Sequence, residues 1–448
     1  MKRTEQMKTA VLTILVVASI VLTWNMWTYR PPYEMAESTT VQNVEISEQR
    51  KPKELLQPVE FVWHSGDLDY GTTRPGKIKE MTDMMDNWTF ENLQEVSLRN
   101  EEFLEIVQGE DRIEFLFQDI IPFSVLDSLF DFEDKDLPNQ EIDRVIIDFS
   151  HRNATAPNIY FADYEGFVTS RDSQPVVYGA RIRQTELDEF EAFFSPKEYQ
   201  PYVQYEAGDF RKLFIPKDPM TVERRTYLLD LVDVDAFKNA LFNDPSFVKR
   251  NQVGTLEEFT DGSRQMEVDY SKNQIRYNNP AEESDNLYVP TGDVFEDTFS
   301  FMNDHAGWTD PYRYAEWDEF NRKVTFRMYI NGRPVMSPSP VDLTEISVSW
   351  GEDEVKEYIR PAFSLAVLMP ETSKKKLLSG PNILRYVEQR VREFAPSQLE
   401  RLTIGYRLEK SSNNQLFTLE PTWYMLYAGA WMAITPEEDE GVLKSGLG

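Results

Sequence analysis

Residues 10–27 form one uncharged, mostly aliphatic run, and no other feature of the 448-residue chain constrains its folding so strongly. At 1.5 Å per residue, a helix of about 18 residues is close to the shortest that crosses a bilayer. Lys2, Arg3 and Lys8 precede the run, Trp24 and Trp27 end it, and Arg30, Pro31 and Pro32 follow. Basic residues mark the cytoplasmic end of a span, tryptophans suit an interface, and two prolines stop a helix. The expectation is a single-pass anchor within residues 1–30, its N-terminus cytoplasmic, with everything from about Tyr33 outside the cell. A cleaved leader needs small residues just after its apolar core. Thr23, Trp24, Asn25, Met26 and Trp27 stand there instead, and Ala36-Glu37-Ser38 comes too late. The anchor is therefore expected to be retained in the cell membrane.

Over the whole chain, 77 acidic residues against 47 basic ones give a net charge of −30. A field of that sign disfavours nucleic acid as a partner and opposes anionic headgroups. The chain has no cysteine, which removes thiol catalysis, cysteine-bound zinc and disulfides. An extracytoplasmic body without disulfides fits a Gram-positive bacterial envelope. Its folding must rest on ordinary apolar cores, and a chain 41% hydrophobic has material for two or three.

Polar residues without apolar periodicity make 31–58 a flexible tether. Three folded regions are expected at 59–196, 197–288 and 289–436, followed by an acidic, Gly-rich tail at 437–448. Alternating apolar residues predict strands near 59–63, 113–117, 145–147, 159–161, 213–215 and 226–231. The 3.6-residue period predicts helices over 77–85, 185–194, 234–242, 294–303 and 384–394. Asn331-Gly332 between apolar runs at 323–330 and 333–336 is a hairpin signal. Consecutive strands with few helices between them predict an α+β protein, each domain an antiparallel sheet with packed helices.

The chemistry-bearing residues do not assemble into a known motif. His64, His151 and His305 lie in separate segments, without the spacing of a zinc motif. Ser246-Phe247-Val248-Lys249, Ser271-Lys272-Asn273 and Lys444-Ser445-Gly446 imitate the penicillin-binding triad of motifs. The last lies in a polar tail rather than on a core strand, which defeats that reading. The acidic stretch 131–136 lacks the glycine and terminal glutamate of a calcium loop. No catalytic residue, metal ligand or cofactor site is expected. Paired carboxylates for glycoside cleavage stay open, because acids are abundant and their spatial separation is unknown.

The anchor itself offers a candidate contact surface. At 100° per residue, Thr9, Thr13, Ser19 and Thr23 share one arc, with Leu12, Val16 and Ile20 on the same face. Ser19 and Thr23 are a small-xxx-small pair that admits a second helix closely. The alternative is that these hydroxyls bond their own helix carbonyls.

The sequence resembles the YycH family, also called WalH, over nearly its whole length. The resemblance runs through Val21-Leu22-Thr23-Trp24 with Trp27 and Tyr29, then residues 115–122 with Leu126 and Phe130. It continues in Phe259-Thr260-Asp261-Gly262-Ser263-Arg264, Ala306-Gly307-Trp308-Thr309-Asp310, residues 326–335, and Arg360-Pro361. That resemblance implies a non-enzymatic, membrane-anchored regulator of a two-component system. Its partners would be the transmembrane helices of the sensor kinase WalK (YycG) and the sister protein YycI, with a second copy of the chain as a further candidate. It implies three extracytoplasmic α+β domains and a role in cell-wall metabolism. The competing expectation is an anchored wall-binding module or an unrecognised wall hydrolase.

Overall fold

The computed structural model describes Ser19 and residues 48–436, except 67, 151–156, 171–173, 283–290, 305–306, 339–342 and 412–414. Among them the fold is mixed α+β, dominated by two large sheets with few helices. No described helix is long and apolar enough to cross a membrane. The expected anchor and six of its seven candidate face residues, Thr9, Leu12, Thr13, Val16, Ile20 and Thr23, lie outside the described residues. Ser19 alone is described, as helical and exposed.

The body opens with α1 (Pro52–Leu55), whose proline sits where a helix start needs no N–H donor. Leu55 and Leu56 are almost fully buried, so the end of the stretch expected as tether packs into the core. Ten strands then form the first sheet. They are β1 (Glu60–Ser65), β2 (Leu68–Thr72), β3 (Thr89–Glu95), β4 (Arg112–Pro122) and β5 (Asp131–Phe132). β6 (Glu141–Asp148), β7 (Ile159–Ala162), β8 (Val177–Arg181), β9 (Gln200–Glu206) and β10 (Lys212–Pro216) complete them. The order is β10-β9-β2-β1-β4-β6-β7-β8-β3-β5. Pairing is antiparallel apart from β3 with β5.

β6 lies mid-sheet and is buried at every position after Glu141, because both of its faces are covered. On one face α2 (Pro75–Met85) sends in Ile78, Met81 and Met85, spaced three and four apart, and α5 (Gln184–Ala192) adds Leu187 and Phe190. On the other face Phe103 and Val107 of α3 (Asn100–Gln108) meet Ile146, with Tyr164 and Phe167 of α4 (Tyr164–Thr169).

The second sheet starts with β11 (Thr221–Leu231). After α6 (Val234–Leu241) come β12 (Lys249–Val253), β13 (Leu256–Thr260), β14 (Gln265–Asp269) and β15 (Gln274–Asn278). Helix α7 (Thr291–Asp304) leads to β16 (Tyr312–Asp318), β17 (Lys323–Ile330), β18 (Arg333–Met336), β19 (Glu345–Trp350) and β20 (Val355–Pro361). β21 (Phe363–Leu368) and β22 (Ser373–Lys376) precede α8 (Gly380–Arg390). The last strands are β23 (Leu399–Lys410), β24 (Leu416–Tyr427) and β25 (Ala430–Ile434). The path runs β12-β13-β14-β15-β20-β19-β17-β18-β23-β24-β11-β21, with β16, β22 and β25 beside it. β11 thus leaves its sequence neighbours to pair with β24 near the far end of the chain. Leu213 and Ile215, read from sequence as opening the second region, instead sit on β10 at the margin of the first sheet.

Candidate functional site

The clearest irregularity in the first sheet is in β4. It pairs with β6 from Arg112 to Leu116 and again at Ile121 and Pro122, but the register breaks between them. The second sheet takes up the polar groups of that stretch. Arg401 of β23 donates to the carbonyl oxygens of Phe117 at 3.1 Å and Gln118 at 3.0 Å. The Tyr314 hydroxyl donates to the Ile120 carbonyl, and the Tyr329 hydroxyl to Gln118 Oε1 at 3.0 Å. Asp119 accepts from the amides of Trp317 and Ile120, both at 2.9 Å. Burial pushes the Asp119 carboxyl up to about 6 against those donors. One bulged strand therefore fastens the two sheets together, and it is the Phe-Leu-Phe-Gln-Asp-Ile-Ile-Pro stretch on which the family resemblance rests.

The Asn331-Gly332 turn is a second fastening. Asn331 and Gly332 both have positive φ, 50° and 72°, as a two-residue hairpin of this type requires. A Cβ on Gly332 would come within 2.6 Å of the Thr73 carbonyl oxygen, so the turn lies flush against the residues before α2.

A third junction lies where the N-terminal segment joins the body. Asn303, in the last turn of α7, accepts from the Arg50 amide at 2.9 Å and donates to the Arg50 carbonyl at 3.0 Å. Trp308 Nε1 donates to the same Asn303 oxygen at 2.8 Å. The Arg50 guanidinium donates to the Asp310 carbonyl at 3.2 Å. Asp310 in turn accepts the Leu365 amide of β21 at 2.9 Å. Beneath the loop, Arg360 is fully buried over the Phe237 ring and donates to Gly307 O and Thr309 Oγ1, at 3.0 and 2.7 Å. The Gly-Trp-Thr-Asp stretch and Arg360, legible only as resemblance, thus form one hydrogen-bonded hub that holds the incoming chain. Arg50 and Asn303 carried no sequence signal, since a side-chain amide that imitates a strand partner has no motif.

The buried ionisable groups cluster elsewhere, inside the first sheet. His64 Nδ1 lies 2.7 Å from Asp69 Oδ1 and its Nε2 2.7 Å from Glu114 Oε1. Burial opposes protonation of His64, but the two carboxylates outweigh it and raise the imidazole to about 9. It is an imidazolium donating to both sides. Arg144 then bridges Glu114, Asp143 and Glu165, and Arg211 closes on Glu165 at 2.7 Å. Burial drives Asp143 up to about 7 against the pull of Arg144, and Glu60 up to about 7 against the hydrogen bond from Tyr202. The space among Glu60, Glu114, Arg144 and Arg401 is about 30 Å³, room for a water rather than a substrate. These groups bond to each other, so the network does structural work.

The remaining sequence candidates are placed simply. His151 and His305 lie outside the described residues, as does Lys444-Ser445-Gly446. Ser246 and Ser271 give their hydroxyls to Asp244 and Asp269 in tight turns. In the acidic stretch, Asp134 accepts the Leu93 amide and Asp131 the Thr89 hydroxyl. Among the described residues no group of three or more His, Asp or Glu is arranged to hold a metal ion.

Comparison with known proteins adds the following. Residues 5–189 match the family described as "YycH protein, N-terminal domain", and residues 210–441 match "YycH protein, C-terminal domain". The chain is 24% identical, over 98% of its length and 97% of the relative's, to the "Two-component system WalR/WalK regulatory protein YycH" of Bacillus subtilis (strain 168). Its fold is similar to the crystal structure of YycH from Bacillus subtilis, with a TM-score of 0.71 and 19% identity. That likeness covers 88% of this chain and all of the other.

Proposed function

Because the chain belongs to the YycH family, we propose that it is a membrane-anchored, non-enzymatic regulator of a WalR/WalK-type two-component system. The observation that carries the mechanism is the clasp of Arg50 by Asn303. It ties residue 50 to the end of α7, so a change of state in the second sheet's layer reaches the point where the body begins. The anchor over residues 10–27 would carry that change of state into the bilayer. There the face of Thr9, Leu12, Thr13, Val16, Ser19, Ile20 and Thr23 would pack against the sensor kinase's transmembrane helices or against the sister protein YycI. A ligand-independent bias of the kinase between two helix arrangements needs only a difference in contact energy between them.

The test is to replace residues 9–27 by an unrelated single-pass helix in cells. Kinase output should change while the extracytoplasmic body still folds and resists protease. Unchanged output with the foreign helix would reduce the anchor to a tether and remove the lateral-contact mechanism.

A further inference from the structure

Protein cores are packed to crystal-like density, and an apolar space left open in one is a standing loss of contacts. The first sheet has such a space. A pocket of about 110 Å³ opens between the sheet and the α1–α2 layer, walled by Leu56, Met85, Phe115, Phe117, Leu129 and Val145. An apolar cavity of about 150 Å³ takes up a benzene-sized guest, so a space of this order holds a ring or a short alkyl chain. Its floor is nearly inaccessible: Phe115, Phe117 and Val145 are at most 2% exposed.

The rim differs from the floor. Lys53 pairs with Asp86 at 2.8 Å and Lys79 with Asp83 at 2.6 Å, and Glu54 also stands there. Two cations against three carboxylates leave the mouth with one excess negative charge. A floor that is apolar and a mouth that is polar and slightly acidic select an amphiphile by both ends. Lys53 and Glu54 of the rim and Leu56 of the wall belong to α1 or its C-terminal end, and α1 begins two residues after the clasped Arg50.

We propose that this pocket is a binding site for a small amphiphile with an apolar tail of ring or short-alkyl size and a cationic head group. The tail fills the space between Phe115, Phe117 and Val145, and the head stands among Glu54, Asp83 and Asp86. The proposal is independent of the regulatory reading, since it needs only the pocket.

Full-length protein in lipid nanodiscs, labelled at the methionine methyls, is titrated with hexylammonium, 1-hexanol and hexanoate. Met85 lines the pocket and its resonance is assigned through Met85→Leu. Hexylammonium should shift the Met85 methyl saturably, and hexanoate should bind at least about fivefold more weakly, as one like charge at the mouth dictates. Leu129→Trp, at a half-buried wall position, and Gln57→Trp, at the rim, should each abolish the shift. The Met328 and Met425 methyls, buried in the second sheet, should stay in place in both variants and so report an intact fold. A linear, unsaturable drift, an undiminished shift in either tryptophan variant, or a preference for hexanoate would overturn the proposal.

Discussion

Asn303 holds Arg50 by both backbone groups, accepting its N–H and donating to its C=O across 253 positions of sequence. A side-chain amide here does what a neighbouring strand would do. It makes residue 50 a fixed part of the second sheet's layer, although the residues after it feed the first.

Asn303→Ala removes those two bonds and the acceptor for Trp308. The cost should be about 1–3 kcal/mol, because the groups are only partly buried and water replaces some of what is lost. Hydrogen exchange at the amide of Arg50 should accelerate at least about tenfold. Amides of β6 should be unaffected. Equal acceleration at both places would mean that the clasp is part of the global core rather than a local latch.

Arg401→Met leaves the Phe117 and Gln118 carbonyls without their charged donor. With charge-assisted bonds worth about 1.5–3 kcal/mol each, the loss should be about 3 kcal/mol or more. The two sheets should then unfold in separable calorimetric steps, whereas the native protein should show one. A single transition at the original temperature would place the seam elsewhere.

The fold should lose stability as pH rises. His64 moves from 6.5 to about 9 on folding, so its contribution is complete below about 6.5 and disappears as pH climbs through about 9. At 1.36 kcal/mol per pKa unit, that is about 3 kcal/mol. Glu60 and Asp143, raised to about 7 by burial, act in the same direction from about pH 4 to about 7. Urea unfolding near pH 6 and near pH 10 should show the decline, and His64→Gln should flatten its alkaline half. A native protein equally stable at both ends would contradict a charged His64.

Two glycines with similar backbone angles should respond differently to alanine. Gly66→Ala meets only conformational strain, since nothing lies within 4 Å of its added Cβ, and should cost about 1 kcal/mol. Gly332→Ala meets the same strain and also Thr73 O and Pro75 Cδ, 2.6 and 2.5 Å away. Its cost should exceed that of Gly66→Ala by about 1–3 kcal/mol. Thermal melts of the two variants measure the difference.

What was legible in the sequence follows from what periodicity encodes. The 323–330 and 333–336 hairpin matches β17 and β18 residue for residue, because Asn-Gly fixes the turn and apolar runs fix the strands. Helices over 77–85, 185–194 and 234–242 match α2, α5 and α6 within two or three residues, since each buries one stripe. Strands with weak or mixed alternation escaped notice. β12 is exposed at all five positions and β9 alternates only in part, so neither carries a clear period of two. The residues 115–122 and 306–310 stood out only as resemblance. Their work is hydrogen bonding between segments up to 284 positions apart, and no local pattern records such a pairing. α1 was read as tether because four residues are too few to show a helical stripe, although Leu55 and Leu56 were there to anchor it.

The clasp of Arg50 also sets an order in time. A chain made from its N-terminus exposes residue 50 long before residue 303 exists. At about 5–20 residues per second the interval is about 13–50 s, during which the first sheet can assemble but its leading end has nothing to close on. Closure at Arg50 therefore waits until the chain has passed residue 303. A copy truncated before residue 303 could fold its first sheet and still leave Arg50 unclasped, a failure that the sequence of the first sheet alone could not repair.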